Sequence, residues 1–350
     1  MQIGKISNQL LDRLVIGKIK VRDRRVLVPA GVGEDCGVLD LGGDVCVVSG
    51  DPVTGAKEHA GRIAVHVACN DIATCGVRPL AILSTLLLPP DATEDDLEAI
   101  FDDIADTAES LDVSVIGGHT EVTDAVTRVV ISITAIGAAK PGGYVTSGGA
   151  LAGDSVIMTK SAAIEGAAIL AAEREETLRK HFGETFIKAA KLLADDVSVI
   201  QEGVMAGTFG VHAMHDVTEG GALGALWELA AASGKGIEVF RDQIPVLDTV
   251  KQICAFFGVD PYRLISSGSM LIATDKPHDV IMMLGSVGIA ACEVARILEN
   301  PGDRYITDGG EHDENPRLGG KQDERSPSCG YAPLPPPGPD ELYRALNKKL

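Results

Sequence analysis

Five short clusters of acid and glycine stand out in the 350-residue chain: Gly31–Val38 (GVGEDCGV), Ser49–Gly55 (SGDPVTG), Ala68–Gly76 (ACNDIATCG), Val115–Val122 (VIGGHTEV) and Met214–Leu226 (MHDVTEGGALGAL). In three of them an acid (Asp51, Asp71 or Asp216) falls directly after an apolar run or just beyond it. A carboxylate at such a place, beside glycine, can face a ligand from rigid scaffold. Several converging carboxylates are what Mg²⁺ with nucleotide phosphates requires, because Mg²⁺ takes hard oxygen ligands in octahedral geometry. No cluster matches the phosphate-cradling G-x-x-x-x-G-K-[ST], and no G-x-G-x-x-G follows a strand pattern, which argues against a P-loop or Rossmann enzyme.

Each cluster also has a plainer reading. A lone acid after a strand is commonly a turn residue or a helix cap. Asn70-Asp71 differs, because it interrupts an apolar helical pattern, where a charge is costly unless paired or metal-bound. His119, after Gly117-Gly118, reads as a loop histidine or as a ligand. Asp216 with Glu219, Gly220 and Gly221 fits a helix N-terminus, whose dipole suits acids or a bound anion. Lys57, Arg62 and Lys160 read as solvated, with phosphate contact as the alternative, and Cys69 and Cys75 as small core residues.

The elements that must position these residues follow from periodicity. Short strands are expected at Val26–Pro29 and Val45–Ser49, and a helix over Gly61–Cys75 from apolar Ile63, Ala64, Val67, Ala68 and Ile72. Leu80–Leu88 reads as a buried strand, and Thr93 with Asp96 as a capping box opening a helix with stripe Leu97, Ile100, Phe101, Ile104 and Ala108. Strands at Val113–Ile116 and Thr127–Gly137 flank a turn-like GGHTEVTDA. The Gly- and Ser-rich stretch from Lys140 to Asp154 marks a domain boundary. Beyond it come a strand at Ser155–Thr159, helices at Ala162–Glu173, Phe182–Asp195 and Gly220–Ala232, strands at Ile237–Phe240 and Met270–Ala273, and a helix at His278–Ser286. This mixture in both halves predicts two α/β (α+β) domains, 1–145 and 150–305, followed by a Pro-rich tail, 306–350, that serves as linker or docking segment.

Composition narrows the partners. With 31 basic against 50 acidic residues the formal net charge is −19, which disfavours nucleic acid. The seven cysteines contain no C-x-x-C pair, which argues for a reducing compartment rather than a disulfide framework or a zinc site. No apolar run approaches the length of a membrane span and the first residues lack signal-peptide order, so a cytoplasmic protein is expected. Aromatic residues are only 4% of the chain, while glycines number 40 and concentrate beside the acids.

Taken together, the clusters resemble the AIR synthase-related (PurM-like) superfamily, which includes selenophosphate synthetase, thiamine-monophosphate kinase and the HypE-like hydrogenase maturation branch. GEDCGV, SGDPVTG, GRIAVHVACNDIATCGVRPLAIL, GGHTE, HDVTEGGALGALWELAAASGKGIEV and RLISSGSMLIAT follow one another in family order from about Gly31 to Asp275. The resemblance implies an N-terminal ATP-binding domain that pairs across a homodimer to make a shared β-barrel, with a C-terminal α/β domain packed beside it. It implies ATP and Mg²⁺ as cofactors. Asp35, Asp51, Asp71 and Asp216 match the metal acids, with Asp71 and Asp216 carrying the chemistry. Asp51, Asn70, Gly117, Gly118, His119 and Thr120 match positions that line the nucleotide.

The pattern is most similar to the hydrogenase maturation branch, which dehydrates a thiocarbamoyl group on its own C-terminal cysteine. Here the last residues are Asn347, Lys348, Lys349 and Leu350 in place of Pro-Arg-Ile-Cys, and the tail's cysteine is Cys329. His119 stands where that branch has Asp, as in selenophosphate synthetase, whose N-terminal Cys has no counterpart before Cys36. The implied activity is ATP- and Mg²⁺-dependent activation of an oxygen of a small acceptor. The alternatives are a small-molecule kinase, or an ATP-binding scaffold without turnover that docks a maturation partner protein through its tail.

Overall fold

The computed structural model describes residues 6–54, 59–307 and 331–348; Lys57 and Cys329 lie outside them. The first half runs α1 (Asn8–Leu14), β1 (Val26–Val28), β2 (Gly37–Asp40), β3 (Val45–Val53), α2 (Ala60–Thr74), β4 (Pro79–Leu88), α3 (Glu94–Ser110), β5 (Ser114–Val122) and β6 (Val130–Ala139). The strands form one sheet in the order β1-β2-β3-β6-β4-β5, antiparallel except for the parallel pair β4–β5. Alternate residues of β4 and β6, among them Ile82, Leu86, Ile131, Ile133 and Ala135, turn one sheet face onto α2, and the core between them is made of Val, Ile, Leu and Ala. Leu83, on the opposite face, is exposed, as are Leu80 at a bulge of β4 and Val115, Ile116 and Val122 along edge strand β5.

Helix α2 is buried along almost its whole length, which is why its apolar stripe reads so broadly. The Thr93–Asp96 capping box opens α3 as the sequence predicts, a cap worth about 1 kcal/mol. Phe101, assigned to the apolar stripe of α3, is instead largely exposed. The larger departure lies at GGHTEV. It is strand β5 rather than a turn, because backbone pairing with β4 extends from Ser114 to Val122. Gly118 has φ +151° and sits so close to β4 that a Cβ there would meet the Ser84 carbonyl oxygen, so only glycine fits.

The second half contains β7 (Ser155–Thr159), α4 (Ile164–Glu173), α5 (Glu175–Phe182), α6 (Glu184–Lys191), α7 (Ile200–Phe209), β8 (Ala213–Val217), α8 (Gly221–Ala232), β9 (Gly236–Phe240), α9 (Asp248–Phe257), β10 (Ser269–Thr274), α10 (Pro277–Gly285), β11 (Ala291–Leu298) and β12 (Arg304–Thr307). Tail strand β13 (Tyr331–Pro333) and helix α11 (Glu341–Leu346) close the chain. The second sheet has the order β13-β12-β9-β11-β7-β10-β8. The single helix expected over Phe182–Asp195 is broken into the end of α5, α6 and a 3-10 turn at Leu192–Asp196, with Gly183 (φ +87°) at the first break. Helices α7 and α9 and strands β8, β11 and β12 lie outside the elements expected from the sequence, although α9 buries Val250, Ile253, Cys254 and Phe257 at helical spacing. The tail docks rather than trails: Leu334 joins one core cluster and Leu342 and Ala345 another.

The two halves meet through α7 lying on α2. A Cβ at Gly203 would meet the Ala73 carbonyl oxygen at 2.3 Å, and one at Gly207 the Gly76 Cα at 2.4 Å. Part of the glycine excess is therefore spent on bringing two helices into backbone contact. No helix among the described residues is long and apolar enough to cross a membrane.

Candidate functional site

The carboxylates gather at this junction. Asp71 projects from the last turn of α2, Asp51 from β3 and Asp35 from the loop before β2, whereas Asp216 comes from β8 of the second half. Asp71 Oδ2 accepts a 2.5 Å hydrogen bond from Ser49 Oγ, and its backbone carbonyl accepts from Cys36 Sγ and Thr74 Oγ1. Burial, then the charges of Asp51 and Asp216 and a hydrogen bond to Asp51, push the Asp71 carboxyl well above the usual carboxylate range. Asp216 is pushed up to about 6, by burial first, with His215 opposing and Asp35 adding. Acids from both halves therefore repel one another inside the protein.

The loop Gly31–Gly37 is bound to the second half at several points. Ser147 Oγ donates to Asp35 Oδ2 at 3.2 Å and the Gly148 N–H to Glu34 Oε1 at 3.1 Å. Gly33 adopts φ +78°, and a Cβ on it would press on the Glu228 carbonyl oxygen. His215 Nδ1 lies 3.2 Å from Asp35 Oδ1, so a histidine of the second half faces an acid of the first. Burial lowers the affinity of His215 for its proton, but Asp35, Asp216 and Glu228 outweigh it and hold the imidazole well above its ordinary pKa.

These residues fit a divalent cation. The donors are hard carboxylate oxygens, Asp216 Oδ2 is buried without a hydrogen-bond partner, and the crowded negative charges call for a positive one. Asp35 and Asp216, with ligand atoms within 4.8 Å of each other, would hold it; Asp51 and Asp71, the other two expected ligands, act on the same place through their charges and would complete the shell.

Other residues singled out from the sequence fall elsewhere. Asn70 is fully buried and bonds across the junction to Val197 and Val199. Gly117, Gly118, His119 and Thr120 lie in exposed β5. Asp51 pairs with Ile133, Ile133 with Ser84, and Ser84 with Gly118. Three inter-strand steps put Gly118 about 14 Å from Asp51 in the same chain. His119 Nε2 is 3.0 Å from Glu121 Oε2, its neighbour on the same strand face. Lys160 and Arg62, read as solvated, are paired instead: Lys160 Nζ with buried Glu202 at 3.0 Å, and Arg62 with Asp195 at 2.8 Å. Cys69 and Cys75 are buried in the core as expected. Glu219 and Gly220 do open a helix, and the Gly220 N–H there donates to Asp340 of the tail at 2.7 Å.

Sequence reasoning passed over His215, Glu34 and Glu228. A signal for Glu228 was present: it stands inside the apolar run of α8, the same anomaly that drew attention to Asp71.

Comparison with known proteins sets this geometry in a family. Residues 33–139 match the family described as AIR synthase related protein, N-terminal domain, and residues 152–308 match AIR synthase related protein, C-terminal domain. A putative hydrogenase expression/formation protein of Methanocaldococcus jannaschii is 29% identical over 282 residues, covering 78% of this chain and 81% of the relative. Carbamoyl dehydratase HypE of Rhodobacter capsulatus is 27% identical over 302 residues, covering 84% and 86%. Among solved structures, the HypE–HypF complex superposes with a TM-score of 0.70 at 22% identity, covering 85% of this chain and 96% of that one. A thiamine-monophosphate kinase complexed with AMPPCP and TMP gives 0.69 at 20% identity, covering 89% and 98%. HypE in complex with ATP gives 0.67 at 20%, covering 98% and 97%. At these identities the structural likeness establishes the fold.

Proposed function

Because the chain belongs to the AIR synthase related family in both of its domains, we propose that it is an ATP- and Mg²⁺-dependent enzyme of the hydrogenase-maturation type, activating an oxygen of an acceptor group. The observation that carries this reading is the approach of Asp35 of one domain to Asp216 of the other, with ligand atoms within 4.8 Å and the charges of Asp51 and Asp71 acting on the same place. Relatives named carbamoyl dehydratase HypE support the branch, and HypE and thiamine-monophosphate kinase structures holding ATP or its analogue support the nucleotide. Mg²⁺ would supply charge neutralisation at the transferring phosphoryl group. The chain's part is to hold the carboxylates at fixed positions, exclude water around Asp71 and Asp216, and orient the phosphates. Asn70 would act by fixing the domain junction, and Gly117–Thr120 would meet a more distant part of the nucleotide.

The acceptor is a small molecule or a group carried by a maturation partner, as a HypE–HypF complex is known. A homodimer is supported by apolar side chains exposed on β4 and edge strand β5, Leu83 and Ile116 among them; closing the outer face of the sheet on a second copy would complete a barrel.

The test is ATP turnover with Mg²⁺ by the purified chain, with and without candidate acceptors. Asp71→Asn should abolish it while leaving folding and dimerisation intact, and full activity in that variant would sink the role of Asp71. Phosphate recovered on the acceptor would favour the kinase reading, to which the likeness to the thiamine-monophosphate kinase lends support. Binding of ATP without any turnover would favour a scaffold.

A further inference from the structure

His215 stands where the two domains bring Asp35 and Asp216 together. Its Nδ1 is 3.2 Å from Asp35 Oδ1 and 3.8 Å from Asp216 Oδ1, and one ligand atom of each residue lies within 4.8 Å of the others. An ion binding nitrogen and oxygen at about 2.0–2.2 Å spans such a set. His215 is 3% exposed and Asp216 1%, yet neither imidazole nitrogen nor Asp216 Oδ2 has a partner in hydrogen-bonding geometry. Buried polar atoms are seldom left in that condition.

On the far side of the ring, Nε2 faces Glu228 Oε2 at 3.7 Å, and Glu228 Oε1 accepts a 3.1 Å hydrogen bond from Asn8 Nδ2. A carboxylate behind one imidazole nitrogen, with the other nitrogen aimed at converging ligands, is the arrangement that fixes ring orientation in metal centres. Glu228 sits in α8 and Asn8 in α1, so elements from both halves support the ring.

We propose that Asp35, His215 and Asp216 form a nitrogen-containing cation site, oriented by Glu228, that takes a first-row transition ion such as Mn²⁺ or Co²⁺ in preference to Mg²⁺. The chemistry of the donors decides the preference. Carboxylates alone suit Mg²⁺, whereas an imidazole nitrogen adds affinity for a first-row transition ion, more for Co²⁺ than for Mn²⁺, and little for Mg²⁺. The imidazole binds an ion as the free base, so any proton on the binding nitrogen leaves to solvent, as metal binding to histidine requires. The inference rests on the metal reading of Asp35 and Asp216 given above, but not on ATP turnover.

The test uses the full chain without nucleotide. Mn²⁺ bound to the protein is examined by electron spin-echo spectroscopy for coupling to ¹⁴N, and the Mn²⁺/Mg²⁺ affinity ratio is measured by competition. The expected result is a nitrogen coupling in the wild type that is lost in His215→Ala and His215→Asn. Both variants should lower the Mn²⁺/Mg²⁺ ratio by about tenfold or more while Mg²⁺ still binds, and Glu228→Gln should weaken Mn²⁺ by about 10–100-fold. Circular dichroism melts identify any variant that fails to fold, and the wild-type nitrogen coupling needs no variant at all. A wild type without nitrogen coupling, or folded variants with an unchanged ratio, would overturn the proposal while leaving the Mg²⁺ reading standing. Absence of any divalent-ion binding would overturn both.

Discussion

The side-chain amide of Asn70 is bonded at both ends to the segment that carries Val199: Nδ2 donates to the Val197 carbonyl at 2.8 Å, and Oδ1 accepts from the Val199 N–H at 2.9 Å. One side chain of the first domain thereby satisfies two buried backbone groups of the second. The Asn-Asp pair thus divides its work, with Asn70 joining the domains and Asp71 facing the acids.

Asn70→Ala should leave both backbone groups unpaired at a dry junction, at about 1–3 kcal/mol for each group. A melting temperature lowered by several degrees in the absence of nucleotide is the expected outcome, read by differential scanning calorimetry. A residue that served only to bind nucleotide would leave the nucleotide-free melt unchanged.

Asp71→Asn should separate stability from activity. Burial and the neighbouring Asp51 and Asp216 make a charge on Asp71 unfavourable, so its removal should hold or raise the melting temperature in EDTA. The same variant should lose the stabilisation that Mg²⁺ gives the wild type. Thermal shift measurements with and without Mg²⁺ check both halves.

His66 sets an acid limit on stability. Burial, reinforced by Arg62 and Lys160, pulls its imidazole down to about 4 from an ordinary 6.5. A depressed histidine contributes stability that is present above the unfolded pKa and is lost as pH falls through the folded one. Between pH 6.5 and 4 the loss is on the order of 3 kcal/mol. Urea titrations over that window should show a shallower slope against pH for His66→Gln than for the wild type.

Gly207→Val should force α7 away from α2, since even a Cβ at that position falls 2.4 Å from Gly76 Cα. Overpacking of this kind costs about 1–3 kcal/mol. Because Asp71 and Asp216 come from opposite domains, the variant should also weaken cation binding, measured by isothermal titration with Mn²⁺. Unchanged binding would mean that the junction does not set the spacing of the acids.

Much of the fold was legible because its signals are local. The capping box at Thr93 and Asp96, the apolar run of β4 and the glycine-led start of α8 each depend on neighbours a few residues apart. GGHTEV was misread as a turn for the same reason. Two glycines in a row look like a bend from within the chain, and only pairing with β4 shows that close approach of a neighbouring strand demands them. Lys160 looked solvated because its partner Glu202 lies far along the sequence, in α7.

By itself the sequence determined that carboxylates beside glycine would end apolar elements, because a charge amid apolar residues is anomalous wherever the chain runs. It also determined the family, through the order of those clusters. Only the tertiary structure decided which acids meet. Asp35 and Asp216 are brought onto His215, with Glu228 behind the ring, by the packing of α2 on α7 and of the Gly31–Gly37 loop on α8. The strength and sign of each interaction depend on separations of a few ångströms and on exclusion of water. Both arise when residues some 180 positions apart are folded together, and neither is written in local spacing.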